Sequence, residues 1–256
     1  MKITRIIFKF LFISIAIFQT TIVDCLAQKS QFDHAILDQL LKKHVNENGR
    51  VDYHNFSKDQ PRLRQYLNSL SRNAPDTLTW SKDEQLAYWL NLYNAFTTEL
   101  ILDHYPLESI KDIGTKIPIV FGNSAWDIDF INIGNRTYTL DQIENEVLKK
   151  NFDEPRVHFA LVCAASSCPD LRREAYVADK LDSQLNSQAV IFLSNPIKNR
   201  IGTDKSTISE IFKWYETEFT KDGTLVDYLN QFTRSTISSN AELEYFEFDW
   251  SLNELK

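Results

Sequence analysis

Between Asp83 and about Asp103 the chain offers apolar side chains on almost every helical face: Leu86, Trp89, Leu90, Leu92, Tyr93, Phe96, Leu100 and Ile101. A helix that is apolar all round has no side to give to water, so the rest of the chain must enclose it. Ser81 and Glu84 stand at capping-box spacing and mark where this helix starts. At about 100° per residue, Asn91, Asn94 and Thr98 fall on one narrow stripe of it. A buried amide left without a partner costs roughly 1–3 kcal/mol. These amides therefore either tie down neighbouring loops or face a polar pocket.

Enough chain is present to enclose such a helix. The 256 residues are 43% hydrophobic and 25% charged, which excludes a disordered, collagen-like or multi-pass membrane protein. A chain of this length can build one large core without metal or disulfide staples. With 28 Lys and Arg against 35 Asp and Glu, the formal charge of -7 argues against a phosphate backbone as partner, so no nucleic acid is expected. No internal repeat is visible, and 6 Gly with 7 Pro leave little material for linkers, so residues 28–256 read as a single globular domain.

The first 27 residues read differently. Lys2, Arg5 and Lys9 precede an apolar run from Phe10 to Phe18, and Cys25-Leu26-Ala27 supplies small residues before Gln28. That is the pattern of a signal peptide, residues 1–27. The alternative, an uncleaved anchor helix, needs about 20 consecutive apolar residues, more than the run provides. No later segment is long and apolar enough to span, so the expectation is an exported protein, periplasmic or extracellular, with no membrane span after cleavage. Cleavage would remove Cys25 and leave Cys163 and Cys168, and an even pair in an oxidising compartment ordinarily closes a disulfide.

Helices are predicted from Phe32 to Val45, after Pro61, from the Thr139 and Gln142 capping box to Lys149, from Asp179 to Leu193, from Ser209 through Phe219 and from Thr224 to Phe232. Alternation from Trp126 to Ile133, a turn at Gly134-Asn135 and a return at Thr137-Tyr138 predict a hairpin. Arg156–Cys163 reads as a buried strand, Arg200–Thr207 as strand or loop, and Glu244–Trp250 as a closing strand. The fold class is α+β, mostly helical, with a small antiparallel or mixed sheet.

One cluster has the residue types for chemistry. His158, Cys163 and Cys168 lie within eleven positions, and Cys168 directly precedes Pro169, a residue favoured at the first position of a helical turn. A cysteine at that cap, near Arg172 and Arg173, would be a thiol of lowered pKa. On a strand His158 and Cys163 point to opposite faces, which leaves Cys168 to fold back towards the imidazole. A thiolate beside an imidazole is the minimum kit for nucleophilic attack on an acyl group. Glu144 sits inside the apolar stripe formed by Leu140, Ile143, Val147 and Leu148, and either orients His158 or clamps an arginine or a loop. The candidate catalytic set is thus Cys168 as nucleophile, His158 as base and Glu144 as orienter. Asn91 or Asn94 could donate to an oxyanion, and Arg172 could steady the thiolate or an anionic substrate, a small molecule or a peptide.

Two other readings stay open. A Cys163–Cys168 disulfide would make a non-catalytic binding or scaffold domain, and a redox pair would depart from the Cys-x-x-Cys spacing. Two cysteines and one histidine are an incomplete zinc set, so no metal and no cofactor are called for. His34, His44, His54 and His104 lack ligand spacing and read as surface residues, and Asp127 with Asp129 as the wet face of a strand.

Five segments taken together carry a resemblance: Ala87–Ala95, Leu140–Glu144, His158 through Cys168-Pro169, Ile211–Tyr215 and Asp249–Asn253. In that order they resemble the domain-of-unknown-function family 547, over about Val51 to Asn253. The resemblance implies a link to thiol-hydrolase-like folds of the papain and transglutaminase type. Members of the family usually carry a histidine after the glutamate, where Asn145 stands here, and a papain-type enzyme would carry its nucleophile on the Asp83–Asp103 helix, which has no cysteine.

Overall fold

The apolar helix runs from Lys82 to His104, and every residue from Gln85 to Leu102 is buried. Its start is fixed as the sequence predicts, with the Glu84 amide donating to Ser81 Oγ at 3.2 Å and the Ser81 amide to Glu84 Oε2 at 2.6 Å. The computed structural model describes residues 32–115 and 124–256, and the expected leader, residues 1–27, lies outside the described residues. From His34 onward, α1 (Ala35–His44) packs on α2 (Gln60–Arg72), and α2 packs on the long helix, α3 (Lys82–His104). Tyr88 of α3 fastens the second of these contacts by donating its hydroxyl to the Leu70 carbonyl at 2.8 Å.

Elsewhere an aromatic core forms between the short helix α4 (Val157–Ala160) and α5 (Leu181–Ser194), where the Phe159 ring lies 5.4 Å from Phe192 and 5.5 Å from Phe219. The strands are few. β1 (Ile131–Ile133) pairs antiparallel with β2 (Arg136–Tyr138) around a turn in which Gly134 takes φ +58°. β3 (Lys205–Ile208) pairs parallel with β4 (Glu242–Tyr245). The result is a mostly helical α+β fold with two small sheets of opposite sense.

Three local expectations are corrected. Arg156–Cys163 is not a strand: Val157–Ala160 is one helical turn, and only from Leu161 is the backbone extended. A short apolar run cannot separate a buried strand from a buried helical turn by periodicity. Here Pro155 opens the turn, its carbonyl accepting the His158 amide at 3.2 Å, while the Glu154 carbonyl accepts that of Val157 at 3.1 Å. The hairpin is shorter than its pattern, because Asp127 closes a 3₁₀ turn by accepting from the Ser124 amide at 2.9 Å. His34 and His44, expected at the surface, are buried. His34 shares a 2.7 Å hydrogen bond with the Tyr66 hydroxyl, and His44 stacks on Phe56 while bonding Asp59 at 2.7 Å.

Candidate functional site

Cys163 and Cys168 are bonded to each other, and their loop is held from the C-terminal end of the chain. The Ser166 amide donates to the Ser251 carbonyl at 2.7 Å, the Ser167 amide to Asp249 at 3.1 Å, and the Asn253 amide to Ala164 at 2.9 Å. Ala164 takes φ +60°, a left-handed conformation that a residue with a Cβ adopts only when its surroundings impose it. Cys168 is 3% exposed and Cys163 is half-buried. The cap expected at Cys168 is absent, since the residues after Pro169 are not helical, so no helix dipole acts on this sulfur. Arg172 does not reach it either: its guanidinium makes two bonds to Glu174 Oε1, at 2.9 and 2.5 Å, and lines a different cavity of about 590 Å³. The cation beside this loop is Lys198, whose ammonium bonds the Cys168 carbonyl and Asp170.

Glu144 lies on a π-helical turn, Ile143–Leu148, between α-helical pieces Leu140–Gln142 and Lys149–Asn151. Such a wide turn rotates side chains away from ordinary helical positions and is frequent at functional sites. The carboxylate accepts from the Tyr215 hydroxyl at 2.5 Å and from the Tyr93 hydroxyl at 3.4 Å. Burial pushes its pKa up, and the Tyr215 hydrogen bond works against that shift. Glu144 therefore serves two tyrosines rather than orienting an imidazole. His158 lies flat on the Tyr215 ring instead, 3.7 Å between centroids and 19° between planes. Burial lowers its pKa from 6.5 to about 4, so the ring is neutral at neutral pH.

Cys168, His158 and Glu144 nevertheless line one cavity of about 100 Å³. The rest of its wall is largely aromatic: Tyr93, Trp126, Trp214, Tyr215, Phe248 and Trp250. Trp214 lies 4.7 Å from Phe248 and 6.0 Å from Trp250, and Trp126 lies 5.9 Å from Trp250, centroid to centroid. All five segments that carried the family resemblance send a side chain here, from Tyr93 through Glu144, the cysteines and Trp214 to Trp250. The aromatic walls were not singled out from the sequence as site residues. The available signal was the density of rings in Trp214-Tyr215 and Tyr245–Trp250.

The amide stripe of α3 has another job. Asn94 donates to the Ala160 carbonyl at 2.9 Å and accepts from the Val162 amide at 2.9 Å. Asn91 does the same for Tyr176, at 2.8 Å to its carbonyl and 2.9 Å from its amide. Neither aims a donor at the cavity as an oxyanion hole would require. Each takes the place of a neighbouring strand for an extended segment that has none. Among the described residues, no group of three or more His, Cys, Asp or Glu side chains is placed to hold a metal ion, and no helix is long and apolar enough to cross a membrane.

Residues 77–193 match the family described as Protein of unknown function, DUF547. The DUF547 match takes in α3, the π-helical turn of Glu144, both cysteines and nearly all of α5, whereas the ring-bearing segments around Trp214 and Trp250 lie beyond it. No curated protein and no solved structure matches the chain. The DUF547 description brings no activity with it, so the link to thiol hydrolases rests on the sequence resemblance alone.

Proposed function

We propose that this DUF547 chain is an exported, non-catalytic binding domain in which the Cys163–Cys168 disulfide is structural and the aromatic cavity takes a small molecule or a peptide side chain. The observation that carries this reading is the disulfide itself: the sulfur that would attack an acyl group is committed to its neighbour, inside a cavity walled by rings. Export is supported by the leader pattern of residues 1–27 and by the persistence of such bonds in oxidising compartments. The N-terminal sequence of protein recovered from outside the cytoplasm should begin at Gln28.

Intact mass of the isolated protein should be two hydrogens below the reduced mass, and iodoacetamide should label no cysteine until reductant is added. A free thiol at Cys168 in the isolated protein, alkylating with an apparent pKa well below that of an ordinary thiol, would overturn the proposal. That outcome would favour the second reading, a thiol-dependent acyl-transfer enzyme. One observation speaks for it, namely that Cys168, His158 and Glu144 all line the same cavity.

A further inference from the structure

We infer that the aromatic cavity binds a small alkylated ammonium group, with Glu144 as its counter-ion and the rings that line it, Trp214 and Trp250 foremost, as its walls. The inference rests on the cavity being the binding site and names what that site selects.

Charge is the first reason. No lysine or arginine is among the cavity's described lining residues, and His158 there is neutral at neutral pH. Among the described lining residues Glu144 is the only carboxyl, and the charge it carries when ionised is negative. A buried carboxylate is costly unless something positive meets it. Its two tyrosine hydroxyls are hydrogen-bond donors but not cations. The basic group on the same side, Lys149, is taken by Glu218 at 2.6 Å.

The second reason is the chemistry of the walls. Indole and phenol rings present a negative face, to which an organic cation is drawn within about 6 Å of the centroid. The protein's own ammonium groups already use two of these rings. Lys111 Nζ stands 3.8 Å from the Trp250 centroid and Lys149 Nζ 5.2 Å from that of Tyr215. Size then narrows the choice. A space of about 100 Å³ exceeds the roughly 10–15 Å³ needed by one water, yet it suits a headgroup rather than a whole large ligand. The rest of the wall is largely aromatic and offers a bare –NH₃⁺ little to replace its waters. An alkylated ammonium, weakly hydrated and apolar on its surface, loses little on entering.

The test titrates the full, oxidised chain with choline chloride, with its neutral carbon isostere 3,3-dimethyl-1-butanol and with sodium acetate, at constant ionic strength, following tryptophan fluorescence and the indole N–H signals. Choline should give a saturable change, the alcohol should bind at least tenfold more weakly, and acetate should give none. Glu144→Gln should weaken choline at least tenfold while leaving the alcohol where it was. Trp214→Leu, at a ring already 45% exposed and so tolerant of replacement, should weaken choline about tenfold. Alcohol or acetate binding as tightly as choline would overturn the cation inference while leaving a binding cavity. Silence from all three titrants would also overturn it, and the binding-domain reading would then be judged by the mass and labelling results.

Discussion

Two sets of polar groups lie within reach of α3, the buried Asn91 and Asn94 and the half-buried Glu144, and they are satisfied in different ways. Asn91 and Asn94 spend their amides on the backbone of neighbouring segments, each holding one carbonyl and one N–H. Those partners are fixed along the chain and cannot turn elsewhere. Glu144 is held by the side-chain hydroxyls of Tyr93 and Tyr215 at the edge of an open space. A hydroxyl can rotate, and a ligand can take over what it offered. A buried polar residue answering to backbone is thus part of the scaffold, whereas one answering to hydroxyls beside a cavity is available to a partner.

The largest effect expected from breaking this contrast is at Asn94. Asn94→Ala leaves the Ala160 carbonyl and the Val162 N–H buried without partners, at roughly 1–3 kcal/mol each. Chemical denaturation should show a loss of about 2–5 kcal/mol. A loss below about 1 kcal/mol would place Asn94 with Glu144 and erase the distinction.

His158 gives the next effect, through pH. Its pKa falls from 6.5 in the unfolded chain to about 4 in the folded one, so the unfolded chain binds more protons between those values and stability drops as pH falls through that window. The full drop corresponds to roughly 3 kcal/mol. Glu144 works against it, because a carboxyl with raised pKa favours the folded state at low pH. Comparing wild type with His158→Phe, which keeps a ring on Tyr215, isolates the imidazole. Between pH 6.5 and 4 the variant should lose roughly 3 kcal/mol less than wild type, the carboxyl contributions being common to both, and an unchanged slope would show that His158 is not the group being titrated.

What the sequence disclosed follows the same division. α3, its cap and its amide stripe were legible because they obey helical periodicity and capping rules that are local. The sequence leaves both roles of the stripe open, since nothing local says whether an amide will meet backbone or a pocket. Glu144 was found as an acid among apolar neighbours, but its π turn and its tyrosines were not, because both depend on segments 51 and 71 residues away. The strand expected at Arg156–Cys163 misled the geometry of the cysteines: parity on a strand means nothing once Val157–Ala160 turns as a helix. Trp214 ends a short helix, Ile211–Trp214, and meets Phe248 and Trp250 on an irregular segment where a strand was expected, a convergence that local periodicity does not encode.

Opening the disulfide ranks third. Replacing Cys163 and Cys168 together by serine removes a six-residue closed loop, which chain entropy values at about 2 kcal/mol. The loop's three backbone bonds to the C-terminal end should hold much of it in place. The double variant should therefore fold, with a lowered unfolding midpoint and its choline response retained. Loss of that response with the fold intact would make the disulfide part of the binding site rather than a brace beneath it.

The smallest effect on stability should come from Glu144, the residue most needed for binding. Glu144→Gln keeps an acceptor for one tyrosine and removes a carboxylate that burial disfavours. The two changes offset, leaving a net effect within about 1 kcal/mol at neutral pH. The sign depends on pH. With its pKa raised in the folded state, the wild-type carboxyl contributes stability at low pH that is lost as pH rises through the folded value. Thermal unfolding should accordingly place Glu144→Gln below wild type at pH 5 and level with or above it at pH 8. Unfolding several kilocalories easier at both pH values would mean that the tyrosine–carboxylate group is a brace like Asn94, and that its place beside the cavity is incidental.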